Sequence, residues 1–164
     1  QIRIDFAGGF EDGKQKQSFM QLIAHEAGVQ YHGTVRGEEK RRLLREAHIF
    51  CLPTYYPYEG QPISILEGYA SGCAVITTDH SGIFDVFEPG INGLAVEKRS
   101  AESLRDAIVH AFEARAELRR IALTNLAAAE GRYRVSHFNT RLVAVIDEVA
   151  KRQGGRASAG RRDA

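Results

Sequence analysis

Short apolar runs alternate along this chain with longer segments of helical periodicity, and that alternation limits the fold more than any other feature. The runs are Ile2–Ala7, Val29–His32, His48–Leu52, Cys73–Thr78 and Leu94–Glu97. The first three stop at Gly8, Gly33 and Pro53. Between them the spacing predicts helices over Lys14–Ala27, with Phe19, Leu22, Ile23 and Ala27 on its apolar side, and over Glu38–Ala47, with Leu43, Leu44 and Ala47 inward. Pro62–Ser71 reads as a helix with proline at its first position, where no amide partner is lost. A short helix is expected at Ile83–Phe87, followed by three more, from Ser100, over Arg115–Glu130 and over Val135–Arg152. Leu104, Ile108, Ala111 and Phe112 form the stripe of the first of these. Strands apolar on both sides and separated by helices call for a parallel sheet covered on both faces, a Rossmann-like α/β/α sandwich. Such sheets bind ligands beyond the carboxyl ends of their strands. That directs attention to the loops after Ala7, His32, Leu52 and Thr78.

At 164 residues the chain reads as one domain over 1–152, followed by a flexible basic tail over 153–164. Its 43% hydrophobic and 26% charged content exclude a disordered or fibrous chain. Apolar runs fall short of a membrane span, and the amino end lacks the pattern of a secretory signal. Net charge is +1, but residues 151–164 hold five bases against Asp163. The body is therefore slightly acidic and unsuited to phosphate-backbone binding, so no nucleic-acid partner is expected. A solvated terminus is the preferred reading of the basic end, with peripheral contact with an anionic membrane surface as the alternative. Cys51 and Cys73 both sit in apolar strand runs and read as buried free thiols in a reducing cytoplasm. No Cys or His cluster has metal-ligand spacing.

The loop after Leu52 carries the richest chemistry. Pro53-Thr-Tyr-Tyr-Pro-Tyr-Glu-Gly-Gln-Pro62 leaves a buried strand and enters a helix. The first amides of that helix, at Ile63, Ser64 and Ile65, point outward with the positive end of the helix dipole and make an anion site. Gly60 lets a ligand approach the backbone. Glu59 precedes the helix, and Glu67 lies about 7.5 Å along its axis beyond Pro62 at roughly 1.5 Å per residue. Ser64, Glu67 and Ser71 share one face, while Ile65, Leu66, Tyr69 and Ala70 form the core face. A carboxylate accepts two hydroxyl bonds at once, which suits vicinal diols. Two carboxylates astride a phosphate-binding helix end describe a nucleotide sugar. Singly, each glutamate is also explained as an ordinary surface acid. His80 reads as an exposed loop histidine. Tyr55, Tyr56 and Tyr58 either pack the loop to the core or line a sugar or base. Gly8-Gly9 lacks the third glycine of a dinucleotide fingerprint.

Glu59-Gly-Gln-Pro-Ile-Ser-Ile-Leu-Glu67 followed by Gly-Tyr-Ala-Ser-Gly-Cys-Ala-Val-Ile-Thr-Thr resembles the Glu-x7-Glu region of retaining, nucleotide-sugar-dependent glycosyltransferases of group 1, family four, which have the two-domain GT-B architecture. His32-Gly33-Thr34-Val35, Ala47–Thr54, Ser81–Val86 and Gly90–Val96 resemble further motifs of that family, so the likeness covers residues 1 to about 113.

The resemblance implies one half of a GT-B fold, the carboxyl-terminal domain that holds the donor. It assigns Glu67 to the ribose hydroxyls and Glu59, the candidate catalytic residue, to the transferred sugar. The amides of Gly60, Gln61, Ile63 and Ser64 are assigned to sugar hydroxyls and phosphate, and the Gly33-Thr34-Val35 turn to the nucleobase. It implies a nucleoside diphosphate sugar as substrate, no cofactor and no metal, a saccharide or lipid-linked acceptor, and a cytoplasmic enzyme, peripheral on the inner face of the membrane. Envelope polysaccharide synthesis follows from the same likeness. The chain departs from the family at three points. The basic Arg and Lys pair of an earlier strand has no counterpart in residues 1–100, the amino-terminal acceptor domain is missing, and Ser81 and Asp85 replace a Gly and a Glu of the family's "GGxxE" loop. The chain is thus expected to be inactive alone. Two alternatives remain open: a nucleotide-sugar 2-epimerase of related fold, and a non-catalytic nucleotide-sugar-binding module.

Overall fold

The computed structural model describes the backbone of residues 2–159 and the side chains up to residue 152. It divides into two compact units, Gln1–His48 and Ile49–Ala164. All paired strands are parallel, and the α/β alternation read from the sequence is present. The strands form a two-stranded sheet in the first unit and a three-stranded sheet in the second.

The first unit runs β1 (Ile4–Phe6), α1 (Gly13–Ile23), β2 (Val29–Tyr31) and α2 (Gly37–Glu46). β1 pairs with β2 from Ile4↔Val29 to Phe6↔Tyr31. Phe19 of α1 meets the ring of Phe6 edge-on at 5.0 Å and that of Tyr31 at 5.7 Å, which holds the helix to the sheet. Asp12 caps α1 by accepting a hydrogen bond from the Lys14 amide. The helix ends at Ile23, short of the expected Ala27. Its last turn tightens into three-residue bonds from Ala24 to Gln21, Glu26 to Ile23 and Val29 to Glu26, which carry the chain into β2. Leu22, placed on the apolar side by spacing, is 77% exposed. α2 is laced by charge: Arg41 and Arg45 bond Glu38, and Arg42 and Arg3 bond Glu46. Only Leu43 is buried among the described residues of this unit.

The second unit runs β3 (Ile49–Leu52), α3 (Ile63–Ala70), β4 (Ala74–Thr78), a 3-10 helix (Ser81–Asp85), β5 (Gly93–Val96), α4 (Ala101–Glu113), α5 (Arg115–Arg132) and α6 (Val135–Ala159). The 3-10 helix starts two residues before the helix expected at Ile83. The basic residues beyond 159 lie outside the described residues. β4 is central and buried along its whole length, flanked by β3 and β5. This is the doubly covered strand that its uninterrupted apolar run requires. The core joins Ile65 and Tyr69 of α3, Val75 of β4, Ile83, Phe87 and Ala129 of α5. Gly68 lets α3 lie close on β3: a Cβ there would stand 3.1 Å from that of Phe50. Ala70, expected in the core, is exposed, because Ile65, Gly68 and Tyr69 make the contact face. Phe112 is likewise 43% exposed, while Ala111 beside it is buried.

A polar knot crosses this core. Asn125 of α5 donates to the carbonyls of Cys73 and Asn92 at 2.8 and 2.9 Å and accepts from the Asn92 amide group at 2.8 Å. Asn92 in turn accepts from the Glu88 amide. Cys73 is buried, and burial pushes its thiol up to about 11. Cys51 of β3 is exposed, against expectation. Among the described residues no helix is long and apolar enough to cross a membrane.

Candidate functional site

The connection from β3 to α3 is fixed by a sequence of local bonds. The Leu52 carbonyl accepts from the Thr54 amide at 2.9 Å, which folds the chain over Pro53. The Thr54 hydroxyl accepts from the Tyr56 amide at 3.1 Å, and the Tyr56 carbonyl accepts from the Glu59 amide at 3.0 Å. The second bond closes a tight turn over Pro57-Tyr58, with proline where its fixed φ suits the turn. Glu59 emerges from that turn half-buried, followed by exposed Gly60 and Gln61.

Pro62 is the N-cap of α3, with φ −70° and ψ 115°, not its first helical residue as the sequence predicted. Its extended ψ delays the helix by one residue. Its carbonyl accepts from the Ile65 amide at 3.1 Å, so Ile65 is not one of the outward donors. The amides of Ile63 and Ser64 precede that first bond and remain the donors at this helix end. No acidic side chain occupies the first turn, so the positive end of the helix is not locally neutralised. Ser64, Glu67 and Ser71 are all half-buried, in contrast with the wholly buried Ile65 and Tyr69. Glu59, Gly60, Gln61, Ile63, Ser64 and Glu67 thus stand on one strand–loop–helix junction.

The loop after β4 packs against this junction. Gly82 lies so near it that a Cβ would stand 3.5 Å from the Gly60 carbonyl oxygen and 3.8 Å from the Gln61 Cβ. Asp85 crowds the same spot from the 3-10 helix, 3.2 Å from that Cβ position. Ser81 adopts φ 51°, a left-handed backbone that favours glycine. The structure therefore explains why the resembled motif has glycine where this chain has Ser81. From the loop after β5, the Arg99 guanidinium lies 4.8 Å over the Tyr55 ring. Tyr55, Tyr56 and Tyr58 are 50%, 50% and 85% exposed, so they do not pack the loop to the core.

Gly33, Thr34 and Val35 belong to the first unit, at the exit of β2. Gly33 takes φ 69°, and its carbonyl accepts from the Gly8 amide at 2.8 Å, tying this turn to the exit of β1. Beneath it His32 bonds Asp5 at 2.8 Å. Burial raises the Asp5 carboxyl, but the bonds and charges of Arg3 and His32 outweigh it and hold it below its ordinary value.

Thr77, Thr78 and His80 carry a role that the residue pattern did not reveal. Both threonine hydroxyls donate to loop carbonyls, Thr77 to Leu52 at 2.9 Å and Thr78 to Thr54. Two hydroxyls ending a fully buried strand need acceptors, but which carbonyls serve them depends on how the chain leaves β3. His80, read as an ordinary exposed histidine, donates from Nε2 to the Tyr56 carbonyl at 2.7 Å.

Residues 1–114 match the family model described as glycosyl transferases, group 1. The chain is 26% identical over 117 residues to the amylovoran biosynthesis glycosyltransferase AmsK of Erwinia amylovora, covering 69% of this chain and 29% of that protein. It is 35% identical over 66 residues to an N,N'-diacetylbacillosaminyl-diphospho-undecaprenol alpha-1,3-N-acetylgalactosaminyltransferase of Campylobacter jejuni, covering 40% of this chain and 17% of that protein. The chain thus spans less than a third of the length of these curated relatives. Its fold is similar to that of HepE of Anabaena, crystallised with UDP-glucose, with a TM-score of 0.77 at 21% identity over 90% of this chain and 41% of HepE.

Proposed function

The chain belongs to the group 1 glycosyl transferases, and we propose that within that family it is the carboxyl-terminal, donor-binding part of a retaining enzyme that uses a nucleoside diphosphate sugar. The observation that carries this reading is the β3–α3 junction. An anchored loop delivers Glu59 to the start of a helix with no acid in its own first turn, and Glu67 follows on that helix. In this reading the diphosphate docks on the amides of Ile63 and Ser64, Gly60 and Gln61 hold sugar hydroxyls, and Glu67 grips the ribose. Glu59 stands beside the transferred sugar. Gly33, Thr34 and Val35 are assigned to the nucleobase by the resemblance. As the glycosidic bond breaks, negative charge grows on the departing diphosphate. Fixed amide donors and the helix dipole stabilise that charge without reorganising.

In the proposal, transfer needs no metal, which EDTA treatment of the full-length enzyme tests. The acceptor, a saccharide or a lipid-linked one, is bound chiefly by an amino-terminal domain of the full protein. The basic carboxyl end rests on an anionic membrane. The chemistry named for AmsK and for the Campylobacter relative, and the UDP-glucose held by HepE, support this direction.

The test is a thermal-shift series with uridine, guanosine and adenosine diphosphates and their sugars. One of them should raise Tm with the logarithm of ligand excess over Kd, and Glu67→Ala should abolish most of the shift. Failure of every nucleotide at millimolar concentration would remove the donor assignment.

A further inference from the structure

The β3–β4 ladder ends at Leu52↔Thr77, yet the two segments do not part there. Side chains on the β4 side continue the pairing by reaching for every second carbonyl of the departing loop. Thr77 bonds the carbonyl of Leu52, Thr78 that of Thr54, and His80 that of Tyr56. His80 is the last contact in this series, and it grips the carbonyl that closes the turn leading into Glu59. The Tyr56 carbonyl also accepts from the Glu59 amide, so both of its lone pairs are engaged, one closing the turn and one holding it to β4. Two residues on, Gly82 abuts Gly60 and Gln61. Between these contacts Ser81 keeps a left-handed φ of 51°, a conformation of the kind that persists only where surrounding contacts impose it.

We propose that His80 is a positioning residue: its Nε2–H holds the Tyr56 turn against the end of β4 and so sets where Glu59, Gly60 and Gln61 stand. The consequence for donor binding rests on the function proposed above, whereas the latch itself does not. An Nε2–H is present both in the neutral tautomer that this bond selects and in the imidazolium, so the donated bond does not depend on the protonation state of the ring. That separates it from a switch.

The experiment uses His80→Ala and His80→Gln in the whole chain, with chymotrypsin as the probe. Tyr55 and Tyr58 are exposed targets on the loop, and cleavage there follows the population of the opened loop when opening is fast. His80→Ala should raise the cleavage rate about fivefold, the factor that one net hydrogen bond of ordinary strength is worth. Amide exchange in β4 should stay unchanged. His80→Gln, which offers an amide N–H in place of the ring N–H, should restore the wild-type rate. Equal cleavage of wild type and His80→Ala would overturn the latch. So would equal acceleration in both variants, which would mean that ring packing rather than the donated bond matters. The nucleotide series separates the two ideas. If wild type binds a nucleoside diphosphate, His80→Ala should weaken it by the same factor. If wild type binds none, the donor reading falls while the cleavage result still decides the latch.

Discussion

Leu43 is the single buried side chain described in Gln1–His48, whereas β4 alone buries five consecutive residues in Ile49–Ala164. The first unit is held by aromatic edges and by a mesh of exposed arginines and acids around α2 and Asp5. The second is held by a packed core threaded by the Asn92–Asn125 knot. Exposed ion pairs contribute at most about 1 kcal/mol each and are screened by salt. Buried apolar side chains and satisfied buried amides contribute more and do not respond to salt. The two units should therefore fail differently: the second abruptly, on loss of shape or of a buried bond, and the first gradually, with salt and acid.

The sharpest way to break this contrast is Gly93→Ala. Gly93 has φ 155°, and a Cβ there would run into the Val75 carbonyl oxygen. β5 must move off β4, and the cost should exceed about 4 kcal/mol, in the range that marks a specific structural failure. Urea unfolding followed by circular dichroism reads it, and a wild-type midpoint would mean that β5 contributes little. Next comes Asn125→Ala, which removes one donor each from the Cys73 and Asn92 carbonyls, the latter keeping the Val75 amide, and takes the Asn125 acceptor from the Asn92 side-chain amide. Losing three buried bonds at once should cost about 3 kcal/mol.

The contrast also separates what residues reveal from what they conceal. β4 was legible because an apolar run with no polar alternation can only be a strand covered on both faces, and its neighbours followed from the helical periods around it. The Glu59–Glu67 junction was legible because spacing places both acids on a strand–loop–helix unit whatever the packing. The knot was not, since Asn125 looks like any polar residue in an alanine-rich helix until its partners, 33 and 52 residues away, are known. Leu22 and Ala70 misled because helical spacing gives a stripe but not its width; α1 and α3 each use a narrower face than their composition allows. The β4–loop bonds from Thr77, Thr78 and His80 depend on how the chain leaves β3, which no local pattern encodes.

Leu43→Ala sharpens the contrast from the other side. At 8% exposure, Leu43 is the best-packed apolar residue of its unit, and no other described residue of that unit is buried with it. The loss should lie near the low end for such truncations, about 2 kcal/mol. Hydrogen exchange should show protection falling across β1, β2 and α2 while β4 keeps its own.

The smallest expected effect tests the electrostatic half of the argument. Asp5 bonds Arg3 at 2.7 Å and His32 at 2.8 Å, and its carboxyl is held below its ordinary value despite some burial. A carboxylate with a depressed folded pKa leaves the unfolded chain binding more protons at acid pH, so stability rises with pH through that region. The Asp5 contribution is thus complete above an ordinary carboxylate pKa of about 3.9 and disappears as pH falls below it. Asp5→Asn should cost about 1 kcal/mol at neutral pH and low salt, less in molar salt, and progressively less as pH falls through the depressed value of the folded carboxyl. Urea midpoints across pH 2–7 measure this. A penalty as large as that of Asn125→Ala, or one that persists in acid, would place a structural hydrogen bond where we place a screened charge. The first unit would then be built on the same principle as the second.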